Sequence, residues 1–113
     1  MEILNQQKID RLSNEIGAEN VPILLDIFLG ELNQYISTIV NDETRNNADY
    51  LREISHALKS SAASFGADQL CQLSIQMDNR IKAGEALNPI EDSAIMVKTL
   101  EITRDVYREL VTR

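Results

Sequence analysis

Helix-breaking residues are scarce in this chain. Proline stands only at Pro22 and Pro89, and glycine only at Gly17, Gly30, Gly66 and Gly84. Between these points apolar residues recur three and four apart, the period of one face of an α-helix, and no stretch alternates as a half-buried strand does. The chain is predicted to be all-α.

The first helix runs from about Asn5 to Ile16, with Ile9, Leu12 and Ile16 on one side and Gly17 as its stop. Asn20 is expected to cap a second helix that has Pro22 in its first turn. Its apolar positions are Ile23, Leu24, Ile27, Phe28, Leu32, Tyr35, Ile36 and Ile39. The polar stretch NDETRNN, residues 41 to 47, is the expected loop. A third helix from about Ala48 to Phe65 carries Leu51, Ile54, Leu58, Ser61 or Ala62, and Phe65. Gly66 and Asp68 mark a break or bend, and a fourth helix bears Leu70, Leu73, Met77 and Ile81 up to Gly84. Asn88, Pro89 and Glu91 combine a cap, a first-turn proline and an acid three residues after the cap. The fifth helix they open carries Ile95, Met96, Leu100, Thr103, Tyr107 and Leu110. Four longer amphipathic helices with short connections predict an antiparallel up-and-down four-helix bundle in one domain over residues 1–113. The short extra N-terminal helix then forms a lid.

Composition narrows the function. A formal net charge of −7 argues against a nucleic-acid ligand, because phosphate backbones need a basic surface. The single cysteine, Cys71, cannot form an internal disulfide, which suits a reducing compartment. The segment MEILNQQKID lacks the basic-then-apolar pattern of a secretory signal, and no apolar stretch is expected to approach the roughly 20 residues that span a bilayer. A cytoplasmic, monomeric protein without a membrane partner is expected.

The stretch HALKSSAASFG, from His56 to Gly66, then needs a reason. His56 is the only histidine. At about 100° per residue, Ile54, Leu58 and Phe65 define the buried side of the third helix, and His56 falls roughly opposite them. Arg52, Lys59, Ser60 and Ala63 share its outward half. A merely solvated face would be filled with Glu, Lys and Gln, which favour helix and solubility. Ser60, Ser61, Ala62, Ala63 and Ser64 stand there instead, and small residues let another protein approach closely. A free imidazole, with a reference pKa of about 6.5, offers a nucleophilic nitrogen near neutral pH. Phosphorylation there adds negative charge, and Lys59 sits one turn away at i+3 to offset it. Ser60, at i+4, leaves the phosphoryl group accessible and can donate a hydrogen bond. A histidine, a lysine and a cleared approach describe a phosphate carrier.

At these residues the chain resembles the histidine-containing phosphotransfer (HPt) family, whose motif is His-x-Leu-Lys-Gly. A glycine follows ten residues after the histidine, and a leucine four beyond that. His56, Leu58, Lys59, Gly66 and Leu70 match, while Ser60 replaces the usual glycine and leaves less room beside the imidazole. The blocks NQQKI, IGAENVPILLDIFLGE, LREISHALKSSAASFGADQLC and ITRDVYR extend the likeness, to a quorum-sensing member of the family, over almost the whole chain. The resemblance implies that His56 accepts phosphate from the aspartate of one receiver domain, on a hybrid sensor kinase, and hands it to that of a response regulator. It implies no cofactor of this chain's own, with Mg²⁺ expected in the partner receiver. Lys59 carries over as the phosphate-side cation. Asp78 falls where some relatives carry an amide that contacts the imidazole, and Lys82 where some carry a second cation. Asp78 can accept from Nδ1–H and leave Nε2 free, although a carboxylate also repels a phosphoryl group, and an exposed acid on a helix flank is the equal alternative. Partner contact is assigned to Arg52, Ser60, Ala63, Gly66, Asp78 and Lys82.

Other classes fit less well. GELNQYI and GAEN match neither a Walker nor a kinase loop, so the chain is not expected to use ATP or to be an enzyme. No triad context surrounds Cys71. Glu53 and His56 form one Glu-x-x-His, but a di-metal bundle needs a second such motif and hence a second histidine. No metal is expected. The remaining alternative, a phosphorylation-independent helical adaptor, leaves the Lys59 spacing and the small-residue run unexplained.

Overall fold

A computed structural model describes residues 1–41 and 48–112. Among these residues the structure is helical, without strands: α1 (Gln6–Ile16), a single 3-10 turn (Ala18–Asn20), α2 (Val21–Val40), α3 (Ala48–Phe65), α4 (Asp68–Lys82) and α5 (Glu91–Thr112). The expected loop at 41–47 lies, beyond Asn41, outside the described residues. Helix α3 packs chiefly on α4 and α2 on α5, and the two pairs close into the predicted bundle.

The core is assembled from one face of each helix. Leu25, Phe28 and Leu32 of α2 meet Leu51, Ile54, Leu58 and Ala62 of α3, Leu70 and Met77 of α4, and Met96, Leu100 and Tyr107 of α5. Phe28 stacks on Phe65 with ring centroids 4.6 Å apart, and Tyr107 meets Phe28 edge-on at 5.3 Å. The Tyr107 hydroxyl donates to the Phe65 carbonyl at 2.7 Å, so burial of the ring leaves no polar atom stranded. These contacts pin the end of α3 just before the chain reverses.

The reversal is made by Gly66, at φ +76°, where a side chain would bring Cβ to 2.7 Å from the Asn5 carbonyl oxygen. The N-terminal segment latches onto this joint. Asn5 N–H donates to the Gly66 carbonyl at 2.7 Å, Asn5 Nδ2 to Asp68 at 3.0 Å, and Lys8 Nζ to the same carboxylate at 3.0 Å. The lid is therefore fixed over the α3–α4 turn. Gly66 itself is buried there and presents no surface to a partner, contrary to the sequence reading.

Four details differ from expectation. Asn20 does not cap α2: it lies in the 3-10 turn and its Nδ2 donates back to the Ile16 carbonyl at 2.7 Å. At the start of α5, Asn88 Oδ1 accepts from the amides of Ile90 and Glu91 as a cap should. The reciprocal acid, however, is Asp92, which accepts from Asn88 N–H at 2.7 Å and from Arg80 through both oxygens. Ile23 and Ile27 are 59% and 63% exposed, and Ile95 is 49% exposed; Val21 and Leu25 take the buried places on α2. Its run VPILLDIFL is apolar on more than one face, so spacing alone cannot choose among them. Finally, residues 18–40 form a helical stretch long and apolar enough, by length and composition, to cross a membrane, against the expectation that no stretch is. In the bundle that stretch is a wall packed on α5 through Leu25, Phe28 and Leu32.

Candidate functional site

His56 lies in the middle of α3, on the face turned from the core. Its side chain is 73% exposed, whereas its neighbours Ile54, Ser55 and Leu58 are buried. His56 thus faces outward, as the rotation of about 100° per residue predicts. Helices α3 and α4 approach closely here because Ser55 and Ser74 are small and buried, and Ser55 Oγ lies 3.6 Å from Met77 Sδ across the seam. That close seam brings Asp78 beneath the imidazole.

Asp78 is the residue the sequence described least well. Its side chain is only 6% exposed, so it is not a solvated acid on a helix flank. Oδ1 lies 3.8 Å from His56 Nδ1, longer than a hydrogen bond. Oδ2 accepts from Lys59 Nζ at 2.6 Å and from Lys82 Nζ at 2.8 Å. Lys59 thus reaches across from α3 to α4, while Lys82 closes the pair from the next turn of α4. With Nδ1 turned toward the carboxylate, Nε2 is the ring nitrogen left facing outward. The Asp78–Lys82 pair was legible as an i,i+4 spacing. The Lys59–Asp78 pair was not, because no local spacing relates two helices.

These charge-assisted bonds, first from Lys59 and then from Lys82, hold the Asp78 carboxyl at about 2 against its ordinary 3.8. The pairing with Asp78 in turn raises Lys82. Because the folded value is depressed, the contribution to stability is complete above pH 3.8 and is lost as pH falls through about 2. A carboxyl-carbon NMR titration should place the Asp78 midpoint near 2, and Lys59→Gln should move it upward. An Asp78 midpoint at the ordinary value would break the account.

The other predicted residues divide. Arg52 and Ser60 are exposed beside His56, and Ala63 is half-buried on the same side. Ser61 turns to α2 and donates to Glu31 Oε1 at 2.8 Å, and Ser64 Oγ returns to the Ser60 carbonyl at 3.0 Å. Ala62 is fully buried. The small-residue run therefore serves packing at Ala62 and an α2 tie at Ser61, and it leaves Ser60 exposed and Ala63 half-buried on the His56 side. Gly66 stands apart at the joint, and Cys71 is half-buried against the Lys59 backbone. Among the described residues, no group of three or more His, Cys, Asp or Glu is arranged to hold a metal ion.

An outward histidine on a four-helix bundle, with cations beside it, is the arrangement of a phosphotransfer domain. The chain belongs to the Hpt domain family, whose model matches residues 23–108. It is 53% identical over 107 residues to the phosphorelay protein LuxU of Vibrio harveyi, covering 95% of this chain and 94% of that one. It is also 53% identical over 110 residues to LuxU of Vibrio cholerae, covering 97% of each. The crystal structure of histidine-containing phosphotransfer protein B from Pseudomonas aeruginosa superposes with a TM-score of 0.79 over 98% of this chain and 96% of that one. At 19% identity that likeness shows the bundle fold alone. The protein is a phosphotransfer carrier of the phosphorelay type, like LuxU.

Proposed function

We propose that His56 takes a phosphoryl group from the receiver-domain aspartate of a hybrid sensor kinase and passes it to the receiver aspartate of a response regulator, in a quorum-sensing relay. The observation that carries this reading is an exposed imidazole whose Nδ1 faces a buried, lysine-bound carboxylate. The Nε2 lone pair attacks phosphorus, and the bond from phosphorus to the aspartyl oxygen breaks. The receiver carboxylate leaves with that electron pair. Asp78 favours the proton staying at Nδ1 and offsets the positive charge the ring acquires. In the second transfer the next aspartate attacks, and the electron pair of the broken N–P bond returns to Nε2. Such a step depends mostly on positioning and charge stabilisation, so the protein needs neither a nucleotide site nor kinase activity of its own. Mg²⁺ belongs, in this reading, to the receiver. The chain acts in the cytoplasm as a monomer, with no nucleic-acid or membrane partner.

Incubation with a phosphorylated receiver should move label to this chain as an acid-labile, base-stable adduct. Failure to transfer would overturn the carrier reading. Docking can be separated from chemistry at Ala63, which is half-buried beside the exposed Ser60. Ala63→Gln costs a helix a few tenths of a kcal/mol in propensity. It should slow transfer from a receiver about tenfold or more, as a misplaced approach does, while phosphoramidate still labels His56 at the normal rate. Equal slowing with both donors would place the damage at the imidazole. Normal rates with both would show the small residue to be there for packing.

A further inference from the structure

Helix α4 begins without a cap of its own. Its N-cap position is Ala67, whose side chain is fully buried and offers no acceptor. The amide of Gln69 is one of the donors that a helix start leaves unpaired. It donates instead to the Glu2 carbonyl at 3.0 Å, and Gln69 Nε2 donates to the Met1 carbonyl at 2.9 Å. The cap of α4 is thus main chain from the far end of the sequence.

We propose that residues 1–8 are a detachable cap. They leave the α3–α4 joint and return as one unit, and of α4 only the amides of Asp68 and Gln69 open with them. The device is separate from the phosphoryl chemistry and does not rest on the carrier reading.

Three observations carry it. First, the ties converge on the short stretch from Gly66 to Gln69. Asn5 N–H meets the Gly66 carbonyl at 2.7 Å, Asn5 Nδ2 and Lys8 Nζ each meet one oxygen of Asp68 at 3.0 Å, and the Met1 and Glu2 carbonyls meet Gln69. Together they keep the closed form dominant, and losing one weakens the hold on all. Second, the ties are polar and lie near water. No residue from Met1 to Lys8 is buried, and Leu4 packs on the core only in part. Segments held in this way open at a fraction of the free energy of global unfolding. Third, buried residues bound the opening on both sides: Ile9 in α1 and Leu70 in α4. Asp78 lies beyond Leu70 and keeps its place.

Amide hydrogen exchange in the full-length protein reads the opening. The amides of Asn5 and Gln69 should share one protection factor, at least about tenfold below those in the middle of α3 and α5. Lys8→Met removes a tie from the α1 side and Gln69→Ala one from the α4 side. Each should speed both amides about threefold to fivefold and leave the mid-helix amides unchanged. Phosphoramidate should label His56 at the wild-type rate in both variants. If Lys8→Met sped Asn5 but not Gln69, the contacts would be separate and the unit overturned. Equal speeding of the mid-helix amides would show that the segment leaves only with the whole fold. Unchanged exchange in both variants would show that these ties hold nothing. Slower labelling in the variants alone would show that the opening runs past Leu70, against the proposed boundary. Wild-type protein that takes no label would count against the carrier reading and leave the exchange result standing as the test of the cap.

Discussion

His56→Gln will fold as the wild type does and accept no phosphoryl group at all. The side chain is 73% exposed, on the face of α3 opposite the buried Ile54 and Leu58. Glutamine is a good helix former, and surface changes of this kind alter stability by about ±0.5 kcal/mol. Helicity and the denaturation midpoint should therefore be retained. Transfer should vanish completely, because no other histidine exists in the chain to take over the nucleophile's part. The check is the same phosphorylated receiver offered to both proteins, with the adduct tested for acid lability and base stability. Recovery of such an adduct on the variant would mean that the phosphoryl group rests elsewhere.

The second large effect is expected at Gly66, on stability rather than on transfer. At φ +76° an alanine is strained whatever the space, and here its Cβ would stand 2.7 Å from the Asn5 carbonyl oxygen and 3.1 Å from Lys8 Cβ. The backbone oxygen cannot swing aside, since Asn5 N–H is itself bound to the Gly66 carbonyl. Left-handed strain and this collision together should cost about 3 kcal/mol in Gly66→Ala. A urea midpoint lowered at constant slope would report it. Folded variant at low temperature should still be labelled by phosphoramidate, because the joint lies ten residues along α3 from His56. A loss under about 1 kcal/mol would show that the N-terminal latch yields instead. Loss of labelling in protein that remains folded would tie Gly66 to the site after all. The same glycine that marks the family motif is thus explained by folding: a leftward turn under a lid, with no room for a side chain.

Within a single helix, the sequence determined a great deal about this protein. A fixed rotation per residue relates His56 to Ile54 and Leu58, so the outward histidine and the lysine one turn on could be placed by arithmetic. The scarcity of glycine and proline gave the helices and nearly all their ends, Gly17 and Gly66 included. Where one helix meets another, that arithmetic has nothing to work on. Ile23 and Ile27 fit a helical period yet face solvent, because α2 is apolar on more than one side and only its packing on α5 selects Leu25 and Phe28. Asp92 replaced Glu91 as the acid that closes the α5 start, because Arg80 of α4 reaches it. Whether Asp78 meets the imidazole or stands as an exposed acid was open in the sequence, and the seam between α3 and α4 decided it by burying Asp78 and drawing Lys59 across. The tertiary structure decided which charges are neighbours, because the rotation and offset of packed helices follow from the whole core and are written in no local spacing.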